Sequence, residues 1–282
     1  MGIVGAGRVG LTLGYLLQSR GYTVAGACCR RPESTSRACQ VLKCPVVPAR
    51  EFVPRSDLVI IATPDDVIST VTATLAASGC FRNGQLVLHT SGARTSADLR
   101  AAAEAGACTL SFHPLRAFPQ FHPSTRLEGC LVAGEGDTSA LDRGEELARA
   151  LGARWQCLRP GAKLRYHAGA VMACNYLVVL LDAAYGLLEE AGFAPARARE
   201  ALDPLVRGTL DHVLALGPAA ALTGPVARGD VETVSGHMEQ LDPSGRRLYC
   251  QLGLRALELA RAQGLDAGAA GRLRAIFEEG CR

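Results

Sequence analysis

The chain opens MGIVGAGRVG (Met1–Gly10), where glycines 5, 7 and 10 follow the spacing G-x-G-x-x-G after an apolar run of only Met1–Val4. That spacing alone is weak in a chain with 31 glycines. Its surroundings strengthen it. RVGLTLGYLLQSRG places Val9, Leu13, Leu16 and Leu17 on one helical face with Gly21 ending the helix, and a second apolar run, YTVAGACC, follows. In a strand–turn–helix of this kind Gly5 permits the tight turn, Gly7 lets a pyrophosphate approach the backbone, and Gly10 lets the helix pack closely. Gly5, Ala6, Gly7, Arg8, Val9 and Gly10 therefore form the expected dinucleotide-binding loop. The first strand is a stub, so either the native start lies upstream of Met1 or neighbouring strands hold it.

Working outward, apolar runs at 1–4, 22–28, 45–47, 57–62, 85–89, 107–112, 129–133 and 155–158 read as strands separated by helical patterns. In ARTSADLRAAAEAG, Thr95 with Asp98 three residues on has the form of a capping box. After about residue 160 only helical patterns remain, at 161–191, 195–215, 230–241, 244–263 and 267–279. Pro195 and Pro243 suit first-turn positions there, and Asp242 and Asp266 suit N-caps. The predicted fold is an α/β Rossmann domain with a mostly parallel sheet over 1–159, then an all-α domain over 160–282, with the boundary at CLRPGAK.

Thirty basic against 27 acidic residues leave a net charge of +3, which gives no electrostatic footprint for nucleic acid or an anionic membrane. The 11 cysteines are odd in number and lie mostly in apolar runs without C-x-x-C, the usage of a reducing compartment; no metal site is expected. The glycine motif leaves no room for a leader before it, so a cytoplasmic protein is expected. AGAVMACNYLVVLLDAAYGLL (168–188) is long enough to span a bilayer, yet it carries Asn175 and Asp182, and the expectation is a buried core helix.

Ligands of open α/β sheets bind beyond the carboxyl ends of the strands. After the second strand the chain reads CCRRPES: Arg30 and Arg31 stand where an acid would hold a ribose 2′-hydroxyl, and two guanidiniums suit a 2′-phosphate, pointing to NADP. The pair could equally be solvated surface arginines. DLVIIATPDDVI ends its strand at Ala62 and turns at Thr63-Pro64, with Asp65 read as a simple helix cap. QLVLHTSGA turns through Ser91-Gly92, where Ser91 could cap and also face ligand. In LSFHPLRAF, Pro114 forces extended geometry on His113 at the end of another strand.

Only two lysines (Lys43, Lys163) and two asparagines (Asn83, Asn175) occur in the chain. Asn83 belongs to an Asn-Gly turn, but Lys163 and Asn175 share one predicted helix with His167 between them. A chain so biased toward arginine uses lysine where a group must titrate. Lys163 to His167 rises roughly 6 Å along a helix and His167 to Asn175 roughly 12 Å, so the three could line a cleft. The alternative is an exposed Lys163 and a satisfied core amide at Asn175.

The fingerprint, the turn at Thr63–Asp65 and the long helix resemble the 6-phosphogluconate-dehydrogenase-like superfamily. HTSGA, FHPLRAF, KLRYHAGAVMACNYLVVLL and LTGPVARGDVETVSGHMEQL are similar to a Rossmann-like family with a helical C-terminal domain of unknown function. The resemblance implies an NADP-dependent oxidoreductase acting on a small molecule, dimeric through its helical part. Lys163 and Asn175 resemble the catalytic Lys and later Asn of ketopantoate reductases, but the positions four and eight after the Lys are His167 and Val171 here. Ser91 and His113-Pro114-Leu115 resemble prephenate dehydrogenases, without the glycine that follows there. The expected activity is hydride transfer between NADPH and a small carbonyl acid, possible substrates including 2-dehydropantoate. Lys163 or His167 would donate the proton, Ala62, Thr63, Pro64 and Ser91 would join the cofactor site, Ser91 and His113 would approach the nicotinamide side, and Ser91, Gly92, Asn175 and Arg228 would hold the substrate. A prephenate-type oxidative enzyme and a non-catalytic NADP-binding sensor are the alternatives.

Overall fold

The computed structural model describes residues 1–118 and 120–282, which divide into two compact units, Met1–Tyr176 and Leu177–Arg282. Seven strands are present: β1 (Gly2–Val4), β2 (Gly26–Cys28), β3 (Leu58–Ile61), β4 (Leu86–His89), β5 (Cys108–Pro114), β6 (Leu131–Gly136) and β7 (Arg154–Cys157). They form one sheet in the order β2-β1-β3-β4-β5-β6-β7, parallel except where β6 runs against β5. The helices of this unit are α1 (Arg8–Gln18), α2 (Pro32–Leu42), α3 (Ala49–Phe52), α4 (Ile68–Ala77), α5 (Arg100–Glu104), α6 (Thr138–Ala150) and the start of α7 (Lys163–Glu190). The second unit contains the rest of α7, then α8 (Pro195–Leu216), α9 (Pro218–Ala221), α10 (Pro225–Arg228), α11 (Val231–Gln240), α12 (Pro243–Ala262) and α13 (Ala267–Gly280).

The stub strand is held from both sides. Gly2, Ile3 and Val4 pair with 26–28 on β2 and with 59–61 on β3, so every residue of β1 has two backbone neighbours. Alternation then sorts the side chains. Ile60, Leu88 and Phe112 join the buried cluster on one face, under α1 and α6, while Val4, Val59, Ile61 and Val87 join the other with Ile68 and Leu75 of α4. Each such side chain contributes about 1.5–3 kcal/mol when fully buried. In the second unit Val234, Cys250, Leu257, Leu273 and Phe277 form the core between α11, α12 and α13.

Several expectations change. The run at 22–28 keeps only Gly26–Cys28 as strand, and 45–47 supplies one bridge, Val46 to Ala27. Thr95 starts a 3-10 turn without a side-chain cap; its carbonyl is taken by His89, and the Asp98 carboxylate accepts the Ser69 hydroxyl at 2.5 Å instead. By contrast Asp242 and Asp266 cap α12 and α13 through their side chains, and Pro195 and Pro243 open their helices. The largest change is α7. Its most apolar window has a mean hydropathy of 1.7, long and apolar enough to cross a membrane, yet none of that window is buried by the chain. A helix apolar on all sides calls for burial, but here Met172, Tyr176, Val178 and Val179 are all more than half exposed.

Gly10 shows how tightly the first helix is set. A Cβ there would overlap the Gly5 carbonyl oxygen and stand 3.0 Å from the Ala62 Cβ. Gly10→Ala should therefore lower stability by about 1–3 kcal/mol, although alanine is the better helix former by about 1 kcal/mol. Thermal unfolding of the two proteins decides the sign; an unchanged or raised midpoint would contradict the packing.

Candidate active site

The strand order reverses between β1 and β3, and the glycine loop lies at that switch point. Gly5 has φ +92°, and its Cα faces the Ala62 carbonyl with no room for a Cβ. Gly7 is exposed and N-caps α1, with open space within 4 Å of where its Cβ would be. Thr63, next along the same crevice, has a buried hydroxyl with no hydrogen-bond partner among the described residues. An open approach at Gly7, an orphaned hydroxyl at Thr63 and an exposed Arg30-Arg31 pair after β2 fit a phosphorylated dinucleotide. Arg31 precedes Pro32 at the start of α2.

Further along the sheet, register puts His89, Ser111 and Glu135 in one row across β4, β5 and β6. The first turn of α7 brings Lys163 onto this row. Its ammonium is 2% exposed and donates to Ser111 Oγ at 2.5 Å, and Ser111 donates in turn to the Arg94 carbonyl at 3.3 Å. Burial pulls the Lys163 pKa down to about 8 against the attraction of Glu135 and Asp65. Glu135 is itself fixed by the backbone N–H and hydroxyl of Ser96, at 2.8 and 3.0 Å.

His113 and Tyr166 meet at 2.7 Å between Nδ1 and Oη. Burial, then the charge of Lys163, pushes His113 down to about 4, while burial pushes Tyr166 up to about 12. Both are neutral near pH 7, and with the phenol donating to Nδ1 the imidazole proton sits on Nε2. The His113 and His167 rings lie 6.1 Å apart, and His167 Nδ1 is buried without a partner. A Cβ on Gly92 would overlap His167 and come within 3.0 Å of His113 Nε2. His89 is buried and neutral, its pKa lowered by burial; Nδ1 accepts the Ser91 N–H and Nε2 donates to the Thr95 carbonyl at 2.9 Å.

An open cleft of about 320 Å³ joins the two regions, with walls from Arg8, Val9, Thr90, His113, Pro114, Arg116 and Phe118. It runs from the first turn of α1 to the ends of β4 and β5.

The candidate residues separate accordingly. The glycine loop, Ala62, Thr63, Pro64, Ser91, Gly92, His113, Lys163 and His167 gather around the carboxyl edge of one sheet. Asn175 does not join them: it is exposed, 12 residues beyond Lys163 along α7 and so roughly 18 Å along the axis. Arg228 is exposed in the second unit, near enough to Asp230 to lower that carboxyl's pKa. Asp65 is not a simple cap, because it accepts the Ser91 hydroxyl at 2.7 Å, and that hydroxyl also accepts the Ala93 and Arg94 N–H groups. Ser91 thus spends its hydroxyl on the loop. Tyr166, Ser111, Glu135 and Arg116 escaped the sequence reading. Ser111 was within reach, two residues before His113 on the same face of a strand, and Tyr166 lies one helical step from Lys163.

Residues 1–114 match the family model of a Rossmann-like domain and residues 130–256 match that of a domain of unknown function, DUF2520. Each model matches less than half of the chain, the Rossmann-like one ahead of the DUF2520 one. The combination is consistent with the Rossmann-plus-helical fold of 6-phosphogluconate-dehydrogenase-like proteins. No curated protein matches the chain by sequence. Among solved structures it is similar to a candidate NADP oxidoreductase from Bacteroides fragilis, at 22% identity and TM-score 0.74, covering 90% of this chain and 96% of that one. A Thermotoga maritima protein aligns at 22% identity and TM-score 0.72, covering 93% and 98%. The reductive aminase of Aspergillus terreus, solved with NADPH and ethyl-5-oxohexanoate, aligns at 16% identity and TM-score 0.62, covering 99% and 92%. These likenesses describe the fold.

Lys163 loses its proton near pH 8 in the folded chain and near 10.5 when unfolded. The unfolded state therefore binds more protons between those values, and burying the ammonium opposes folding progressively less as pH rises through that window. Relative to Lys163→Met, the wild type should gain stability from about pH 8 to 10.5 in parallel denaturation curves. A flat or falling difference would contradict the buried ammonium.

Proposed function

We propose that this protein is an NADP-dependent oxidoreductase that moves a hydride between NADPH and a small carbonyl acid. The observation that carries the reading is the single cleft running from the α1 end of the glycine loop to His113, with Lys163 buried behind it. The glycine loop, Thr63 and the Arg30-Arg31 pair would hold the dinucleotide, whose nicotinamide supplies or accepts the hydride. His113 presents its Nε2–H at the far end of the cleft. Lys163, charged below about pH 8, places positive charge near His113 and so favours negative charge as it develops on the substrate. His167, whose buried Nδ1 lies beside Gly92 and has no hydrogen-bond partner among the described residues, is the group able to exchange a proton with the substrate. Asn175 and Arg228 have no part in this reading, and without Asn175 beside Lys163 nothing points to 2-dehydropantoate in particular. One protein of this fold is described as an NADP oxidoreductase and another, a reductive aminase, was solved with NADPH, so imines belong in the substrate panel.

Fluorescence titration should show NADPH bound more tightly than NADH, and absorbance at about 340 nm should fall with one or more 2-oxo acids or imines. Gly7→Ala, which meets no protein atom, should weaken NADPH without lowering thermal stability. Lys163→Met should reduce turnover by about 10²-fold or more while NADPH affinity changes little. Tight NADPH binding with no turnover across the panel would favour a sensor; unaltered turnover in Lys163→Met would remove its role.

We also propose that residues 160–282 form a substrate and dimerisation domain and that a second copy covers α7 and α8. Val178 and Val179 on α7 and Leu205 and Leu214 on α8 are 57–84% exposed, an apolar surface that soluble monomers rarely leave open. Light scattering should give a dimer, and Val178→Glu with Leu214→Glu should give monomers. A monomeric wild type, or one recovered only with membranes, would overturn it.

A further inference from the structure

The cleft itself says what charge its ligand carries. Two arginines, Arg8 and Arg116, belong to its lining, and no acidic residue does among the described residues. Arg8 belongs to the first turn of α1, behind the glycine loop, where phosphate is expected. Arg116 belongs to the other end. It follows β5, three residues after His113, with its N–H held by the Pro114 carbonyl at 2.8 Å. Its side chain is exposed, and its one described contact is Nη1 to the Cys130 sulfur at 3.6 Å. A thiol is a weak acceptor, so most of the planar fork remains available to an anion.

The nearby carboxylates act on Lys163, whereas the charges that act on His113 are those of Lys163 and the two other histidines. Glu135 is held by Ser96, and Asp65 by Ser91. Behind His113 lies the buried Lys163 ammonium, a further positive charge. A cationic iminium would meet repulsion here, and a carboxylate would meet attraction. His113 adds direction. Tyr166 occupies Nδ1, leaving Nε2–H without an acceptor among the described residues, beside a Gly92 that must lack a side chain.

We propose that Arg116 anchors the carboxylate of a small 2-oxo acid, that the carbonyl oxygen of the same molecule accepts the Nε2–H of His113, and that Tyr166 is the positioning residue holding the imidazole in that tautomer. The inference rests on the hydride-transfer reading above and assigns its substrate end. Arg116, and not the remote Arg228, then takes the carboxylate. A neutral imidazole donor also suits a carbonyl, whose oxygen gains negative charge as hydride arrives.

Oxamate, which sets a carboxylate beside an amide carbonyl and cannot be reduced by hydride transfer in this way, is the probe. By calorimetry it should bind the NADPH-saturated protein, while its neutral ethyl ester should not. Arg116→Gln should weaken oxamate at least about tenfold and Arg116→Lys less, with NADPH affinity unchanged in both. In 15N-resolved spectra the His113 proton should sit on Nε2, and Tyr166→Phe should release it to both nitrogens while weakening oxamate. Equal oxamate affinity in Arg116→Gln, equal affinity for the ester, or no oxamate binding to the wild type would overturn the anchor. Loss of NADPH affinity in Arg116→Gln would make Arg116 a cofactor contact instead. An Nδ1–H tautomer in the wild type would remove the role of Tyr166. Should the wild type bind no NADPH, the hydride-transfer reading fails, and Arg116-dependent binding of oxamate to the cofactor-free protein still reports the anchor separately.

Discussion

A single ammonium held almost out of water organises the candidate site. Lys163 is 2% exposed, and a buried charge is tolerated only where oxygens answer it. Here the direct answer is one serine hydroxyl, with two carboxylates, Glu135 and Asp65, at longer range. Each of those carboxylates is in turn fixed by a serine of the loops after β4. The polar layer therefore behaves as one network, since loosening Ser111, Ser91 or Ser96 would leave a neighbour unpaired. The strained turn at Gly5 and the close approach at Gly10 set the dinucleotide end of the crevice in the same way, through backbone and not through charge.

The network also explains why the histidines differ. His89 and His113 are both neutral, but for unlike purposes: the first ties the chain from 89 to 95 with both its nitrogens, and the second keeps one nitrogen for the cleft. Lys163 contributes to both by making an additional positive charge unfavourable. Near pH 7 to 8 a lysine close to its titration point and a histidine well above its own keep positive charge and neutral hydrogen-bond donation on separate groups.

Most of the architecture was readable from sequence because its signals are local. Short apolar runs marked the strands, apolar stripes and aspartate caps marked the helices, and the glycine spacing marked the first turn. Lys163 was readable for a different reason, its rarity. What escaped was whatever depends on cross-strand register: nothing in QLVLHTSGA or LVAGEG says that His89, Ser111 and Glu135 will share a row. Asn175 was expected in a buried helix because its run is apolar, whereas α7 leaves that residue exposed. Hydropathy reports that a helix needs covering; it does not report whether the cover comes from the same chain.

The reversal of β6 has a consequence for how such a site can diversify. Because β6 runs against β5, the 16 residues between them, 115–130, leave the sheet beside His113 and return to pair across from it. Arg116 and Phe118 of the cleft come from this excursion, whereas Arg8, Val9 and Thr90 come from the parallel βαβ units. Length and composition of the excursion can change while the ladder on either side keeps its register. The two ends of the cleft thus rest on different supports: one on the parallel ladder and its helices, the other on the excursion.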